Sequence, residues 1–236
     1  MDNLFERNLG NLGISLTQLQ RIQFDQYYKL LTEWNKVMNL TGITDYQEVN
    51  LKHFVDSLSV VRVQNITAGM KIIDIGTGAG FPGIPLKIAF PEIEITLLDS
   101  LNKRIKFLDT VISELGLEGI EAIHGRAEDY AKDGQYRSCY DLCVSRAVSN
   151  LSTLSEYCIP YIRAGGIFVS YKSGNIDDEV INSKKAINIL GGKIVLVDKF
   201  SIIDADISRS FVKIEKVSET PGKYPRKSGI PEKKPL

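Results

Sequence analysis

The chain has 236 residues, enough for one large domain or for one domain with an extension. It is 43% hydrophobic and 25% charged, as globular proteins are, and its 29 basic residues balance 29 acidic ones, so net charge alone indicates no partner. The apolar runs are too short to span a bilayer, and the N-terminus does not resemble a signal peptide. Three cysteines, which form no even set of pairs, and only two histidines predict a cytoplasmic protein without a metal site.

Residues 1–67 have the pattern of an N-terminal helical extension. Ser15 and Gln18 match a capping box, which predicts that a long helix begins just after Ser15. Apolar residues then recur at helical spacing as far as Met38. A second helix is predicted from Tyr46 through Leu58.

Residues 68–217 alternate predicted strands and helices. The strands are predicted at 71–75, 93–98, 120–124, 140–145, 166–171, 193–197 and 210–215, and the helices at 83–90, 102–116, 151–163 and 177–190. This alternation predicts an α/β fold with a mainly parallel sheet covered on both faces. The last two strands have no helix between them and are predicted to pair antiparallel. Five parallel strands and an antiparallel pair are typical of the Rossmann-like, seven-stranded class I methyltransferase sheet.

A glycine-rich segment, D-I-G-T-G-A-G-F-P-G at residues 74–83, joins the first predicted strand to a helix. Gly76, Gly78 and Gly80 allow the backbone to approach a ligand closely. The carboxylate of Asp74, at the strand end, would repel a pyrophosphate and attract a ligand that carries an ammonium and a sulfonium group. The segment therefore predicts S-adenosylmethionine as the cofactor.

A nicotinamide oxidoreductase is the main alternative, because Gly78, Gly80 and Gly83 also satisfy G-x-G-x-x-G. Asp99, 21 residues after Gly78, would hold an adenosine ribose in either class of protein. Asp74 and the lack of an evident acid–base cluster for hydride transfer favour the methyl donor. A non-catalytic RNA-binding or assembly factor that retains a cofactor fold is a third possibility.

The C-terminal tail, residues 218–236, is rich in lysine and proline. From residue 221 onward it contains five basic residues and one acidic residue, with prolines at 221, 225, 231 and 235. The prolines predict that it forms neither a helix nor a central strand. Basic residues around Tyr224 on a flexible segment suit a phosphate backbone, and a solvated tail that improves solubility explains them equally well.

Motifs outside the glycine loop resemble the glucose-inhibited division protein B family, also called RsmG. They are W-N-x-x-x-N-L-T at 34–41, K-H-F-V-D-S-L at 52–58, L-L-D-S-L-N-K-R at 97–104, S-R-A at 145–147 and K-Y-P-R-K at 223–227. The resemblance implies methyl transfer from S-adenosylmethionine to N7 of a guanine in 16S ribosomal RNA. It also implies the small ribosomal subunit or its assembly intermediate as the partner, and it favours RNA binding by the tail.

The resemblance further implies individual residue roles. The cofactor site would comprise Asp74, Gly76, Gly78, Gly80, Phe81, Asp99, Ser100, Leu101, Ala127, Glu128 and Arg146. Within this set, Asp99, Ser100 and Leu101 would hold the ribose, and Ala127 and Glu128 would flank the adenine. The substrate-positioning residues would be Arg146, Lys172, His53 and Asn39, with Asp56 nearby. Ser173 interrupts the family's usual lysine–glycine pair after Lys172.

The expected chemistry needs few catalytic groups. Guanine N7 has a free lone pair and carries no proton at neutral pH, so no general base is required. Alignment of N7, the methyl carbon and the sulfur is expected to supply most of the acceleration. His53 and Asp56 are therefore predicted to position groups rather than to exchange protons.

Overall fold

In the computed structural model, which describes residues 3–132 and 134–236, seven strands form one sheet in the order β3-β2-β1-β4-β5-β7-β6. The strands are β1 Lys71–Ile75, β2 Glu94–Asp99, β3 Ile120–His124, β4 Tyr140–Arg146, β5 Ile162–Ser173, β6 Gly192–Ile202 and β7 Ile207–Lys216. Strands β1 to β5 pair in parallel, and β7 pairs antiparallel with both β5 and β6. The predicted sheet and its antiparallel pair are confirmed.

The helices cover both faces of this sheet. They are α1 Asn3–Asn11, α2 Gln18–Met38, α3 Tyr46–Val49, α4 Asp56–Leu58, α5 Gly83–Ala89, α6 Asn102–Glu114, α7 Ala127–Tyr130, α8 Leu151–Cys158, α9 Asp177–Ile189 and α10 Ile230–Lys233. A π-helical turn, Asn50–Val55, joins α3 to α4, so the predicted second helix forms with a change of pitch in its middle. No helix within the described ranges is long and apolar enough to cross a membrane.

Helix α2 begins two residues later than predicted. Thr17, not Ser15, is its N-cap: Thr17 Oγ1 accepts from the Gln20 backbone N–H at 3.3 Å, and the Gln20 side chain accepts from the Thr17 N–H at 2.8 Å. The Gln20 amide also donates to the Ile88 carbonyl in α5 at 2.8 Å. The helix therefore begins at the later of the two possible capping boxes, because this start lets Gln20 bond to α5 and leaves Leu16 buried ahead of the helix.

Two hydrophobic clusters hold the layers together. One lies under the N-terminal helices, where Phe5, Phe24, Tyr27 and Phe54 pack ring against ring at centroid distances of 5.0–6.4 Å. The other lies on the opposite face under α8 and α9. Burial of each large side chain contributes roughly 1.5–3 kcal/mol to folding. The first cluster joins the N-terminal helices to α5 and α6, while the division of the chain at residues 67 and 217 stays a prediction.

The C-terminal tail is docked rather than extended into solvent, which corrects the expectation of a flexible segment. Tyr224 is buried in the second cluster, and Arg226 pairs with the fully buried carboxylate of Glu156 at 2.6 Å. The tail also contains α10, with Pro231 in its first turn. The prediction that the prolines exclude a helix is wrong because a proline in the first turn removes no intrahelical hydrogen bond.

Candidate active site

Two cavities open at the carboxyl edge of the parallel strands, where ligands bind in sheets of this kind. The first, here called the β1–β3 cavity, is lined by Ile75, Gly76, Leu98, Asp99, Ser100, Gly125, Arg126, Ala127, Glu128, Val148, Tyr157 and Glu232. The second, the β4–β5 cavity, is lined by Ile43, Lys52, His53, Asp56, Arg146, Ala147, Ser149, Asn150, Tyr171, Lys172, Ser173, Glu179 and Arg209. The loop of residues 147–150 contributes to both cavities and separates them.

The glycine loop forms one side of the β1–β3 cavity. Gly76, Gly78 and Gly80 have φ angles of 70°, 62° and 95°, a region that side chains disfavour. A Cβ atom on Gly76 would lie 2.5 Å from Val148 Cγ2. The Gly78 N–H donates to Asp99 Oδ2 at 2.9 Å, so the loop is attached to the end of β2.

The Asp74 side chain is turned into the protein interior and lines neither cavity, contrary to the sequence-based interpretation that it attracts the cofactor. Its side chain is fully buried, and Oδ2 accepts hydrogen bonds from Thr77 Oγ1 at 2.7 Å and from the Gly83 N–H at 2.9 Å. Burial raises the pKa of Asp74 to about 7, against the lowering effect of these two hydrogen bonds. Its other oxygen, Oδ1, is buried without a partner among the described residues. The carboxyl group therefore holds the glycine loop from within.

Asp99 is the principal polar group of the β1–β3 cavity. Only 2% of the residue is exposed, and Oδ1 accepts from the Leu101 N–H at 2.9 Å while Arg104 approaches Oδ2 at 3.1 Å. Ser100 adjoins it, and Ala127 and Glu128 form the opposite side at the start of α7. Five of the predicted cofactor residues thus line one cavity, namely Gly76, Asp99, Ser100, Ala127 and Glu128.

The other predicted cofactor residues do not line this cavity. Gly78 and Leu101 contact Asp99 through their backbone N–H groups, as described above. Phe81 is directed away from it, and its ring stacks on His53 at 4.6 Å between centroids. Val148, Tyr157 and Glu232 line the cavity but were not predicted, because they come from a loop, a helix and the tail, and no local motif connects them.

Arg146 is the central cation of the β4–β5 cavity. Its guanidinium donates to Asp56 Oδ2 at 2.7 Å and lies 4.9 Å from the centre of the Phe81 ring. Asp56 is 1% exposed, and its Oδ1 accepts from Arg209 Nε at 2.8 Å. One buried carboxylate therefore orients two arginines that come from different strands.

His53 contacts both Phe81 and Arg146. Burial and the neighbouring Arg146 charge lower the pKa of His53 to about 3, so the ring is neutral at physiological pH. Because Arg146 can only donate, the Nδ1 atom 3.5 Å from it carries the lone pair, and Nε2–H then donates to Thr41 Oγ1 at 2.8 Å. These contacts hold the ring in one orientation.

Lys172, at the end of β5, donates to the Ser149 carbonyl at 2.6 Å and to Glu179 at 2.7 Å. Ser173 is the last residue of β5, and it forms one further residue pair with β7, opposite Arg209. The residue inserted relative to the family pattern is thus accommodated within the strand, and both it and Arg209 line the cavity. Arg209 was not predicted because its place depends on the register between β5 and β7.

Asn39 is not part of either cavity, although it was predicted to position the substrate. It is exposed and ends α2 in the left-handed conformation, with φ at 51° and its N–H bonded to the Asn35 carbonyl. Asparagine tolerates this conformation well, so its place in the motif is explained by helix termination. Among residues 3–132 and 134–236, no cluster of three or more candidate metal ligands is found.

The seven-stranded sheet and its two edge cavities define the class I S-adenosylmethionine-dependent methyltransferase fold. An S-adenosylmethionine-dependent methyltransferase from Aquifex aeolicus matches with a TM-score of 0.53 at 15% identity, over 72% of this chain and 94% of that one. A putative sarcosine dimethylglycine methyltransferase from Galdieria sulphuraria matches with a TM-score of 0.56 at 12% identity, over 74% and 89%. At these identities the likeness shows the fold.

The chain belongs to the GidB family, described as rRNA small subunit methyltransferase G, whose model matches residues 20–228. Proteins named ribosomal RNA small subunit methyltransferase G are 49% identical in Lachnoclostridium phytofermentans, over 100% of this chain and 97% of the relative, and 51% identical in Desulforamulus reducens, over 95% and 94%. The resemblance seen in the motifs is confirmed, as are methyltransferase activity and dependence on S-adenosylmethionine. Family membership therefore decides against the nicotinamide oxidoreductase.

Proposed function

We propose that this protein transfers a methyl group from S-adenosylmethionine to N7 of a guanine in 16S ribosomal RNA. One observation carries the proposal: the β4–β5 cavity presents the cationic side chains of Arg146, Lys172 and Arg209, and both of its carboxylates, Asp56 and Glu179, are paired with these cations. His53 has a pKa near 3, and both oxygens of Asp56 are bound by arginines. Such a cavity suits an acceptor atom that is already unprotonated, as guanine N7 is.

The residues of the β1–β3 cavity fit the cofactor. Asp99 and Ser100 would accept hydrogen bonds from the ribose hydroxyls, Ala127 and Glu128 would flank the adenine, and Gly76 would lie against the methionine part. The fit is supported by the φ angle of Gly76 and by its close approach to Val148, which leave no room for a side chain at this position. When bound, S-adenosylmethionine supplies a methyl group activated by its sulfonium.

The β4–β5 cavity would receive the target guanine. The major-groove edge of guanine carries two acceptors, N7 and O6, and an arginine is its commonest protein donor. Arg146 would donate to O6 while Phe81 and His53 hold its guanidinium in place. The major groove of A-form RNA is too narrow for side chains, so the target guanine must lie in a loop or a distorted region.

Positioning then accounts for the chemistry. The protein would align N7 with the methyl carbon and the sulfur, and this alignment lowers the barrier without a proton transfer. Lys172 and Arg209, which also line the cavity, would attract RNA phosphates. The substrate would be the small ribosomal subunit or its assembly intermediate, which locates the reaction in the cytoplasm.

The proposal is tested by incubating the purified protein with methyl-labelled S-adenosylmethionine and small subunits that lack the modification. Digestion of the RNA and mass spectrometry of the nucleosides should give N7-methylguanosine. RNA transcribed with 7-deazaguanosine should accept no label, because N7 is then replaced by carbon. Label at another position, or transfer to the 7-deaza RNA, would refute the proposed acceptor atom.

Arg146→Ala should lower incorporation at least tenfold, because the guanine would lose its donor. Arg163→Ala is the matched control, since Arg163 is 60% exposed and pairs with Asp141 at the opposite edge of the sheet. The control should keep the rate of the unmodified protein. Equal loss in both variants would show that Arg146 has no specific part in the reaction.

A further inference from the structure

The C-terminal tail reaches the β1–β3 cavity. The Gly229 N–H donates to Glu128 Oε1 at 3.0 Å, and Ser228 Oγ donates to Asp129 at 3.0 Å. Glu232, three residues further on, lines the cavity together with Asp99. A segment of the tail therefore contributes to a cavity whose other residues come from the ends of β1 to β3, from the loop of residues 147–150 and from α7 and α8.

The tail is held in this position from both sides. Upstream, the Arg226 backbone N–H and guanidinium all bind the buried Glu156 of α8, and Arg137 donates to the Tyr224 carbonyl at 2.8 Å. Downstream, Thr153 Oγ1 donates to the Pro231 carbonyl at 3.0 Å, and both atoms are buried. A hydrogen bond to a charged group contributes more to stability than a neutral one, so the Arg226–Glu156 contact is a strong anchor.

This segment of the tail covers the side chain of Glu128. Only 4% of Glu128 is exposed, although α7 is a single short turn at the edge of the sheet. The Gly229 N–H donates a hydrogen bond to Glu128 Oε1, which limits the positions that the Glu128 side chain can take. If the segment were absent, Glu128 would open to water, and the outer side of the cavity at Glu232 would be lost.

We propose that residues 228–232 form the outer wall of the cofactor pocket, so that the tail binds S-adenosylmethionine together with Asp99 and Glu128. This inference rests on the proposed placement of the cofactor in the β1–β3 cavity. The wall preorganises Glu128 and excludes water from the bound adenosine, and both effects strengthen binding. It also revises the simpler idea that the tail serves RNA alone.

Exposed lysines at positions 227, 233 and 234 flank this segment on its two sides. RNA phosphates that bind these lysines would stabilise the docked tail, and the docked tail would hold the cofactor. Binding free energies are reciprocal, so the cofactor must then strengthen RNA binding by the same factor. The tail would in this way link occupation of the two cavities.

The inference is tested by isothermal titration calorimetry with S-adenosylmethionine. A protein ending at Lys227 keeps Arg226 and Tyr224 but lacks the wall, and its affinity should fall at least tenfold. A protein ending at Lys233 keeps Gly229 and Glu232 and should bind within twofold of the full chain. Unchanged or tighter binding after the first truncation would overturn the inference.

Hydrogen exchange on the full-length chain gives a second measurement that does not depend on how the truncated protein folds. Adding S-adenosylmethionine should slow amide exchange in the peptide that contains Gly229. Unchanged or faster exchange would mean that the cofactor does not engage the tail. If the full-length chain bound no S-adenosylmethionine at all, the proposed function itself would fail, and this inference with it.

Discussion

Asp56 and Arg146 lie 90 positions apart in the chain, and their side chains form an ion pair of 2.7 Å at the carboxyl edge of the sheet. The side chain of Asp56 is 1% exposed and that of Arg146 is 15% exposed, so water screens the pair only weakly. Because Asp56 also binds Arg209, it keeps two like charges at fixed positions in the β4–β5 cavity. The contact connects the N-terminal helices with the centre of the sheet.

Removal of Asp56 should therefore affect both stability and activity. Asp56→Ala leaves Arg146 and Arg209 unpaired, and breaking a buried pair in this way costs about 3 kcal/mol. Urea denaturation should show this loss, and the milder Asp56→Asn should lower methyl transfer while affinity for S-adenosylmethionine changes less than twofold. Asp198→Ala, which removes the more exposed pair with Arg62, is the control and should cost less than about 1 kcal/mol.

His53 should show no titration in the reaction near neutral pH. Burial and Arg146 lower its pKa to about 3, so the ring is already neutral across the physiological range. The rate of methyl transfer at saturating cofactor and RNA should have no inflection between pH 6 and 7, and His53→Asn should leave the shape of the pH profile unchanged. A loss of rate that follows one ionisation near pH 6.5 and disappears in the variant would contradict the positioning role.

Asp74 should make the folded protein less stable as pH rises. Burial raises its pKa from the ordinary 3.8 to about 7 in the folded protein, so between pH 4 and 7 the folded state keeps a proton that the unfolded state has lost. Stability falls with pH wherever the folded state binds more protons. From pH 5 to 8, the free energy of unfolding should fall by roughly 2–3 kcal/mol more in the unmodified protein than in Asp74→Asn. Parallel pH profiles would show that Asp74 is ionised when buried.

Gly76 should not tolerate a side chain. In Gly76→Ala the new Cβ would meet Val148 Cγ2 at 2.5 Å, and the φ of 70° adds about 1–2 kcal/mol of strain. Calorimetry should show loss of cofactor binding, and Val148→Ala in the same chain should restore it in part, since only the collision is relieved. Gly222→Ala, where a Cβ would meet no atom within 4 Å, should bind as the unmodified protein does. If Gly76→Ala bound S-adenosylmethionine as tightly as the unmodified protein, the glycine loop would not be part of the cofactor site.

The exposed lysines of the tail should contribute to RNA affinity through phosphates. Lys227→Ala and Lys234→Ala should each reduce the slope of log K against log salt by about 0.7–0.9, as expected for one lost phosphate contact. Lys193→Ala, an exposed lysine at the far end of β6, is the control and should keep the slope. Filter binding of 16S ribosomal RNA over a range of salt concentrations measures the effect. An unchanged slope in both tail variants would favour a tail that binds no RNA.

Much of the sheet could be predicted because its strands follow local patterns. The bounds of β1 and β3 agree with those predicted, and Asp99 lies at the strand end where the pattern places it. The start of α2 could not be predicted, because two capping boxes overlap and only the contact of Gln20 with α5 decides between them.

The site was harder to predict than the fold. The motif placed Asp74 at the right strand end, but its carboxyl group turns inward to Thr77 and Gly83, a choice that depends on packing under the loop. The tail looked flexible because its composition is polar and proline-rich, whereas its docking depends on Glu156, a buried acid whose partner is 70 positions away. Such contacts leave no periodic trace in the sequence.

The central claim is that the two cavities serve methyl transfer to guanine N7 in small-subunit RNA. It is tested most directly by mapping N7-methylguanine in 16S ribosomal RNA from cells with and without this gene. Deletion should remove the methyl group from a guanine outside regular helices, and a plasmid-borne copy of the gene should restore it, whereas a copy with Arg146→Ala should not. An unchanged set of N7-methylguanines after deletion, or loss of a methyl group from another atom only, would contradict the account.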